Sequence, residues 1–358
     1  MRVLLCAPPI MDHVGDRLES IAMDAHRECP PYGMYLLRSS LLAAGHKVDF
    51  ADLIALGTSS VGGFLEEVEA AQLVGIGATS MSWPTALEVI KQIRQLRPDV
   101  PIVVGGIHPT MFDQYVLSAF PIEFVVRGEG EIAVVELANA LEGRCDLCEV
   151  SNLSWKAPDG KIVRNPIRSL IKKTELSGFP VPDYSDLPSG IYQALSIESS
   201  RGCVFDCSFC STSYRRTWRG ISPEEFVDRL EMIMPHVPRT SAHHIHIIDD
   251  EFSMNVKRAT QIANIISSRG LTPGLVFDSR ANDIADESYV EAIAPHTVQF
   301  LIGAECGYDE GLELIGKGTT CAKLEEAARI LKKYGIAPRA DFSFVLGLPW
   351  ETRAEVER

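Results

Sequence analysis

No stretch of this sequence approaches the ~20 consecutive apolar residues that a bilayer-spanning helix requires, which excludes a membrane span of that kind. The opening MRVLLCAPPIMD breaks at Pro8 and Pro9 after a very short apolar run and lacks a small-residue cleavage site. No export signal is therefore expected, and a cytoplasmic location is. Positive charge is in deficit: 34 Lys plus Arg face 48 Asp plus Glu, and the formal charge of −14 has the wrong sign for a domain that neutralises nucleic-acid phosphates. Repeats and low-complexity segments are lacking as well. Nine cysteines is an odd count in a long chain without an export signal, so a disulfide framework gives way to thiols or metal ligands.

What is present suffices for two cores. At 358 residues, 46% hydrophobic and 23% charged, the chain reads as globular and about two domains long. Apolar strand-like runs at residues 2–8, 48–53, 73–79, 101–109 and 123–131 alternate with helical stretches at 34–46, 64–71, 83–98 and 132–143. Strands alternating with helices argue for βαβ units, and these five strands suit a doubly wound, flavodoxin-like (Rossmann-like) parallel sheet that binds ligands off its carboxyl edge. The rhythm is lost over residues 144–194, where a hairpin turning at Asp159-Gly160 precedes the Pro-punctuated GFPVPDYSDLPSG. It resumes with strands at 194–200, 244–249, 274–279, 297–305 and 339–349. The expected domains are 1–145, a linker with hairpin at 146–193, and 194–358, the last ending where the helix after its fifth strand should begin.

Immediately after the first strand of the second domain stands Ser200-Arg201-Gly202-Cys203-Val204-Phe205-Asp206-Cys207-Ser208-Phe209-Cys210, a C-x3-C-x2-C loop. A cubane 4Fe-4S cluster has four corners; three clustered cysteines would leave one iron open for a substrate. A structural zinc site needs a fourth ligand that this loop does not supply, although His243, His244 or His246 could come from elsewhere. Three cysteines so close together on a glycine-containing loop are poor material for a core.

This loop resembles the hallmark of the radical S-adenosylmethionine (SAM) superfamily, a C-x3-C-x-aromatic-C motif after the first strand of a partial TIM-type (β/α) barrel. The resemblance implies that Cys203, Cys207 and Cys210 bind a 4Fe-4S cluster, that Phe209 lies near the adenine, and that the open iron chelates the amino and carboxylate groups of SAM. Electron transfer would cleave SAM to methionine and a 5′-deoxyadenosyl radical. Further matches fall at strand ends, where such barrels put their chemistry. Asp249, Asp250 and Glu251 stand where the family contacts the SAM amino group, with a solvated acidic turn as the competing reading. Arg280 could neutralise a carboxylate or form a surface ion pair. Ile302-Gly303-Ala304-Glu305-Cys306-Gly307 is similar to G-x-E-S-G, which would set Glu305 on the ribose; Gly347-Leu348-Pro349-Trp350-Glu351-Thr352 resembles a G-x-P-G-E-T turn with Trp350 in place of glycine.

The first domain carries two glycine-rich loops at its expected ligand edge, Gly105-Gly106-Ile107-His108-Pro109-Thr110 and Arg127-Gly128-Glu129-Gly130-Glu131. Paired glycines let a flat or phosphate-bearing ligand approach the backbone. With Pro8-Pro9 and Ala44-Gly45-His46, they resemble the cobalamin-binding domain of cobalamin-dependent radical SAM enzymes. The corrin would rest around Thr79, Ser80 and Met81, with Gly105, Gly106, His108, Thr110, Gly128, Glu129 and Gly130 about its nucleotide tail. Asp12-His13-Val14-Gly15 does not have the D-x-H-x2-G spacing that places a histidine on cobalt, so a base-off cobalamin without a protein histidine is expected, and His108 reads as a loop hydrogen-bonder.

The resemblance implies an enzyme that methylates an unactivated carbon of a small-molecule or natural product, with electrons from a flavodoxin or ferredoxin-type donor. Oxidative cyclisation or rearrangement is the alternative outcome in the same subfamily, and a non-catalytic corrinoid or cluster-binding module is the remaining one. Cys145-x2-Cys148, lacking a partner pair, reads as plain thiols.

Overall fold

β1 (Arg2–Ala7) is buried along both faces, as an inner strand of a parallel sheet covered by helices on each side must be. The structure, a computed structural model, describes residues 1–14, 17–20, 27–168, 170–212 and 214–357. A hairpin of β2 (Met11–Val14) and β3 (Arg17–Ser20) follows β1 and has no counterpart in the strand pattern read from the sequence. Gly15 and the side chains of Asp12 and His13, which bear on the cobalt-ligand motif, lie outside the described residues.

β1 pairs in parallel with β4 (Lys47–Asp52) on one side and β5 (Leu73–Gly77) on the other, and β6 (Ile102–Gly105) and β7 (Phe124–Val126) continue the sheet. Alternate side chains of these strands feed two cores. On one face Leu4, Val74, Ile76, Ile102 and Val104 pack with apolar residues of α2 (Leu65–Ala70), α3 (Trp83–Leu96) and α4 (Ile107–Ala119). On the other, Val3, Leu5, Leu73 and Val103 pack with α1 (Tyr32–Ala43) and α5 (Glu131–Leu141). Each such fully buried Leu, Ile or Val contributes roughly 1.5–3 kcal/mol by leaving water.

The hairpin expected in the linker instead extends this sheet. β8 (Leu153–Lys156) pairs antiparallel with β7, and β9 (Ile162–Arg164) with β8, giving a strand order of β4-β1-β5-β6-β7-β8-β9. The physical reason is that β7 would otherwise present an unpaired edge. Buried Arg127 secures the addition by donating to the carbonyls of Asn152, Leu153 and Asn165. Residues 178–192 are likewise no free linker: Tyr184 and Tyr192 are fully buried, and the Tyr192 hydroxyl lies 2.8 and 2.7 Å from the two Asp52 oxygens. The chain accordingly divides into two compact units, Met1–Ile171 with Gly178–Tyr192, and Lys172–Ser177 with Gln193–Arg358.

In the second unit, β10 (Ala194–Ile197) is followed by a two-residue ladder of β11 (Ser200–Arg201) and β12 (Arg219–Gly220). Then come α6 (Pro223–Ile233), β13 (His244–Ile247), α7 (Val256–Ser268), β14 (Leu275–Asp278), α8 (Glu287–Ile293), β15 (Thr297–Glu305), α9 (Cys321–Lys333) and β16 (Ala340–Phe344). The sheet order β10-β13-β14-β15-β16 is sequential and all parallel, the strand order of a (β/α) barrel. Side-chain caps start the helices: Ser222 accepts from Glu225 N–H ahead of Pro223, Asn255 from Arg258 N–H, and Thr320 from Lys323 N–H. Because every strand runs the same way, the residues after β10, β13, β14 and β15 share one edge. Among the described residues, no helix is long and apolar enough to cross a membrane.

Candidate functional site

The chain beyond β10 is pinned before its cysteines begin. Ser199 and Ser200 each donate a backbone N–H and a hydroxyl to Asp249, at 2.5–3.0 Å. Buried Arg258 backs them, donating to Ser199 Oγ at 3.1 Å and Ser199 O at 2.7 Å. Burial pushes the Asp249 carboxyl upward against those hydrogen bonds. The neighbouring, exposed Asp250 accepts Gly202 N–H at 2.8 Å on one oxygen and the Thr212 hydroxyl at 2.8 Å on the other, so one carboxylate closes both ends of the cysteine loop. Within it Cys203 and Cys210 are half-buried, Cys207 is buried, and all three are free thiols. Burial raises the Cys203 thiol, with Glu251 and Asp250 adding to the shift and Arg280 opposing it.

Around this loop the strand ends gather charge. Arg280, buried after β14, lies 3.5 Å from the Phe205 ring centroid and donates to the Lys317 carbonyl. Glu305 ends β15 at φ +67°, an unusual value for a residue with a side chain, and its Oε1 accepts from Lys317 Nζ at 2.8 Å. Burial lifts Asp278 to about 6, opposed by Lys317 and reinforced by Asp249 and Asp250. Ser253 Oγ lies 2.6 Å from Glu251 Oε1 and 2.7 Å from Asp283 Oδ2. The Ser253 hydroxyl thus stands between two carboxyls and brings their like charges close together. Burial pushes Glu251 up to about 8, with the Asp283 charge adding to the shift and the Ser253 hydrogen bond opposing it, and burial raises Asp283 too.

In the first unit the ends of β5 and β6 meet closely. Gly106 opens α4 at φ +97°, where a Cβ would fall 2.5 Å from Ala78 O, so no other residue permits this approach. Thr79 and Ser82 exchange backbone-to-hydroxyl hydrogen bonds at 3.0 and 3.2 Å and start α3. His108 Nδ1 is 3.2 Å from Ser80 Oγ, and its ring stacks on Trp83 at 4.7 Å. Gly128 N–H donates to Thr110 Oγ1 at 3.0 Å, joining the two glycine loops. Glu129 turns inward instead: it is buried, and its Oε2 accepts Ile171 N–H at 2.9 Å. Met81, Ile107, Met111 and Phe112 leave apolar side chains exposed at this edge.

Residues 20–138 match the B12 binding domain family and residues 197–358 the Radical SAM superfamily. An uncharacterized methyltransferase of Pyrococcus horikoshii is 33% identical over 100% of this chain and 76% of its own length. The chain belongs to the cobalamin-dependent radical SAM family. An anaerobic magnesium-protoporphyrin IX monomethyl ester cyclase of Synechocystis is 27% identical over 94% of the chain and 67% of the cyclase. The fold is that of the cobalamin-dependent radical enzyme OxsB with aqua-cobalamin and SAM bound, at a TM-score of 0.81 and 20% identity, over 99% of this chain and 51% of that one. The chain thus spans about half the length of that solved relative.

The residues present suit the family's cofactors. Three thiols on one tethered loop are a soft donor set for an iron–sulfur cluster with one corner uncovered. In the B12 domain, an uncovered apolar rim beside closely approaching backbone is a surface that a flat macrocycle would cover. Among the sequence-expected residues, Asp250, Glu251, Arg280 and Glu305 share the strand-end edge with the cysteine loop, and Phe209 is exposed there. Asp249 does not face that mouth; its carboxylate is consumed by Ser199 and Ser200. The Gly347–Thr352 turn closes without the family's second glycine because Glu351 Oε2 accepts the N–H groups of Gly347 and Leu348 at 2.8 and 2.9 Å, and Trp350 Nε1 donates to Tyr308 Oη. Lys317, Asp278, Ser253 and Asp283 join this edge without any motif in the sequence that marks them. Cys145 and Cys148 border a surface cavity of about 600 Å³, where burial raises the Cys145 thiol.

Glu251 gives this family member a testable pH signature. Its carboxyl is held near 8 in the fold against an ordinary 4.5, so between those values the folded chain keeps a proton that the unfolded chain has released. Stability is therefore fully present below the lower value and falls as pH rises through the upper one, by up to about 1.4 kcal/mol per pH unit. Glu251→Gln is expected to flatten that slope, read as the denaturation midpoint from pH 5 to 9. Parallel slopes for the two proteins would refute the assignment.

Proposed function

We propose that this chain binds a 4Fe-4S cluster on Cys203, Cys207 and Cys210 and SAM beside it, and methylates a carbon of a small organic substrate. The observation that carries the reading is the cysteine loop itself, three free thiols tethered at both ends by Asp250 on the edge where β10, β13, β14 and β15 finish. Arg280 would receive the carboxylate of SAM, and Phe209 and Glu305 its nucleoside. The loops at Thr79–Met81, Gly105–Thr110 and Gly128–Gly130 would cradle the corrinoid. When bound, the cluster supplies the electron that breaks a carbon–sulfur bond of SAM, and the corrinoid carries the methyl group. The electron source would be a one-electron protein of the flavodoxin or ferredoxin class in the cytoplasm, and the net charge of −14 speaks against a nucleic-acid substrate.

A second reading, oxidative cyclisation, draws on the similarity to the Synechocystis cyclase. Anaerobic reconstitution with iron, sulfide and hydroxocobalamin, followed by incubation with CD3-labelled SAM and a reductant, separates the two. Methyl transfer predicts labelled methyl on the corrinoid. Formation of 5′-deoxyadenosine with no label on the corrinoid would favour cyclisation, and a preparation that takes up no cluster would defeat both.

A further inference from the structure

The connection between β15 and α9 gives its backbone to the cysteine loop and to the residues after β14. Ser208 N–H donates to Ile315 O at 2.9 Å, and Cys207 Sγ sits 3.7 Å from Gly316 O. Arg280 donates to Lys317 O, Asn282 Nδ2 donates to Gly318 O at 2.8 Å, and the Thr319 hydroxyl donates to Asn282 Oδ1 at 2.7 Å. A connection left to itself satisfies its carbonyls with water or with its own turns. Residues 315–319 instead form a strap across two neighbouring loops.

The strap also carries a charge that points inward. Lys317 is 9% exposed; its ammonium donates to Glu305 Oε1 at 2.8 Å and lies 6.0 Å from the Phe209 ring centroid. An apolar side chain of similar size would fill that space without the desolvation of two ions. What the pair adds is a fixed position for the Glu305 carboxylate. The same residue therefore holds Arg280 through its carbonyl and Glu305 through its ammonium, on a segment whose neighbour Ile315 holds Ser208 of the cluster loop.

We propose that residues 315–319 are the positioning strap of the SAM site and that Lys317 is its positioning residue, orienting Glu305 toward the nucleoside and tying that orientation to the cysteine loop. This rests on the reading that Cys203, Cys207 and Cys210 carry the cluster and that Glu305 meets the ribose. Lys317 acts through Glu305 and Arg280 and transfers no group itself.

The test uses the reconstituted full chain and its Lys317→Met, Lys317→Gln and Lys317→Arg variants. Lys317→Met is expected to keep the wild-type iron content, because the strap's carbonyls remain, while its dissociation constant for SAM rises about tenfold or more, the worth of one charge-assisted hydrogen bond. The change that SAM causes in the electron paramagnetic resonance spectrum of the reduced cluster should fall to about half or less at a SAM concentration ten times the wild-type dissociation constant. Lys317→Arg should restore affinity to within about threefold, since it keeps the charge and the donors. Wild-type affinity and spectrum in Lys317→Met would overturn the proposal. Loss of iron would overturn it too, by making Lys317 a support of the loop alone, as would no recovery with arginine. Should the methionine variant not fold, the glutamine and arginine variants decide by the same readings. A wild type that takes up no cluster sinks the functional reading itself, and does so before any variant is compared.

Discussion

Gly202→Ala is expected to empty the cysteine loop of iron and to lower the unfolding free energy by roughly 3 kcal/mol or more. Gly202 holds φ +86°, and a Cβ built on it would lie 2.4 Å from Thr217 O and 2.9 Å from Tyr214 O. The left-handed conformation alone costs an alanine about 1 kcal/mol. The contacts cost more, because both neighbours are backbone and neither is free to move. Tyr214 O already accepts Cys203 N–H at 3.3 Å, and the β11–β12 ladder closes the loop at its base. On the other side Asp250 holds Gly202 N–H, so the residue cannot retreat without releasing the carboxylate that also holds Thr212. The thiols of Cys203, Cys207 and Cys210 would lose their common register. Iron and sulfide per chain after anaerobic reconstitution, with the denaturation midpoint of the same protein, read both effects. Full iron uptake by the alanine variant would show that the loop tolerates a displaced start.

Much of this arrangement was legible because it is local. The apolar runs that become β1, β5, β6, β10 and β14 are buried on both faces, and a strand covered on both sides needs no partner information to be recognised. The cysteine loop is a spacing, and spacings survive in a sequence. What the sequence concealed are pairings between distant segments. Leu153–Lys156 alternates like any half-buried strand, and nothing in those residues says that β7 is the edge it will cover. The segment around Pro180 and Pro182 has the composition of a linker, yet its Tyr184 and Tyr192 enter the first unit, one of them against Asp52. Lys317 meets Glu305 at the end of a different element, so no motif could join them. In the RGEGE loop, Arg127 and Glu129 read as ligand-edge residues but point inward to hold β8, β9 and Ile171.

The Asp249-Asp250-Glu251 run hides a different signal: the resemblance sets all three acids on the SAM amino group, with a solvated acidic turn as the competing reading, and neither separates one acid from the next. The pleat of β13 continues past its end, so burial alternates through Ile245, Ile247, Asp249 and Glu251, while Ile248 and Asp250 face outward. Period-two alternation, already the signal for the strand, was available to divide the three acids. Two of them carry inward roles in the fold, and Asp250 alone is left at the surface to close the cysteine loop.

Asp249→Leu should accordingly cost about 3–5 kcal/mol, the penalty for leaving buried donors and a buried cation without their carboxylate, which lowers the melting temperature by roughly 10 °C. The substitution removes the acceptor of two backbone N–H groups and two hydroxyls at once. Those serines are buried, so water cannot replace the lost bonds, and Arg258, buried beside Ser199, loses the negative charge it faces. Asp249→Asn keeps the shape and one acceptor oxygen and should lose less, because serine hydroxyls can rotate to accept from the amide. The two variants separate a fold role from a ligand role. A residue that only touched SAM would lose SAM affinity at an unchanged melting temperature. Asp249 should lose stability and iron uptake together, since the strand end it secures is the platform from which the cysteine loop departs. Calorimetry beside iron content decides between these, and a leucine variant melting with the wild type would remove Asp249 from the architecture of the site.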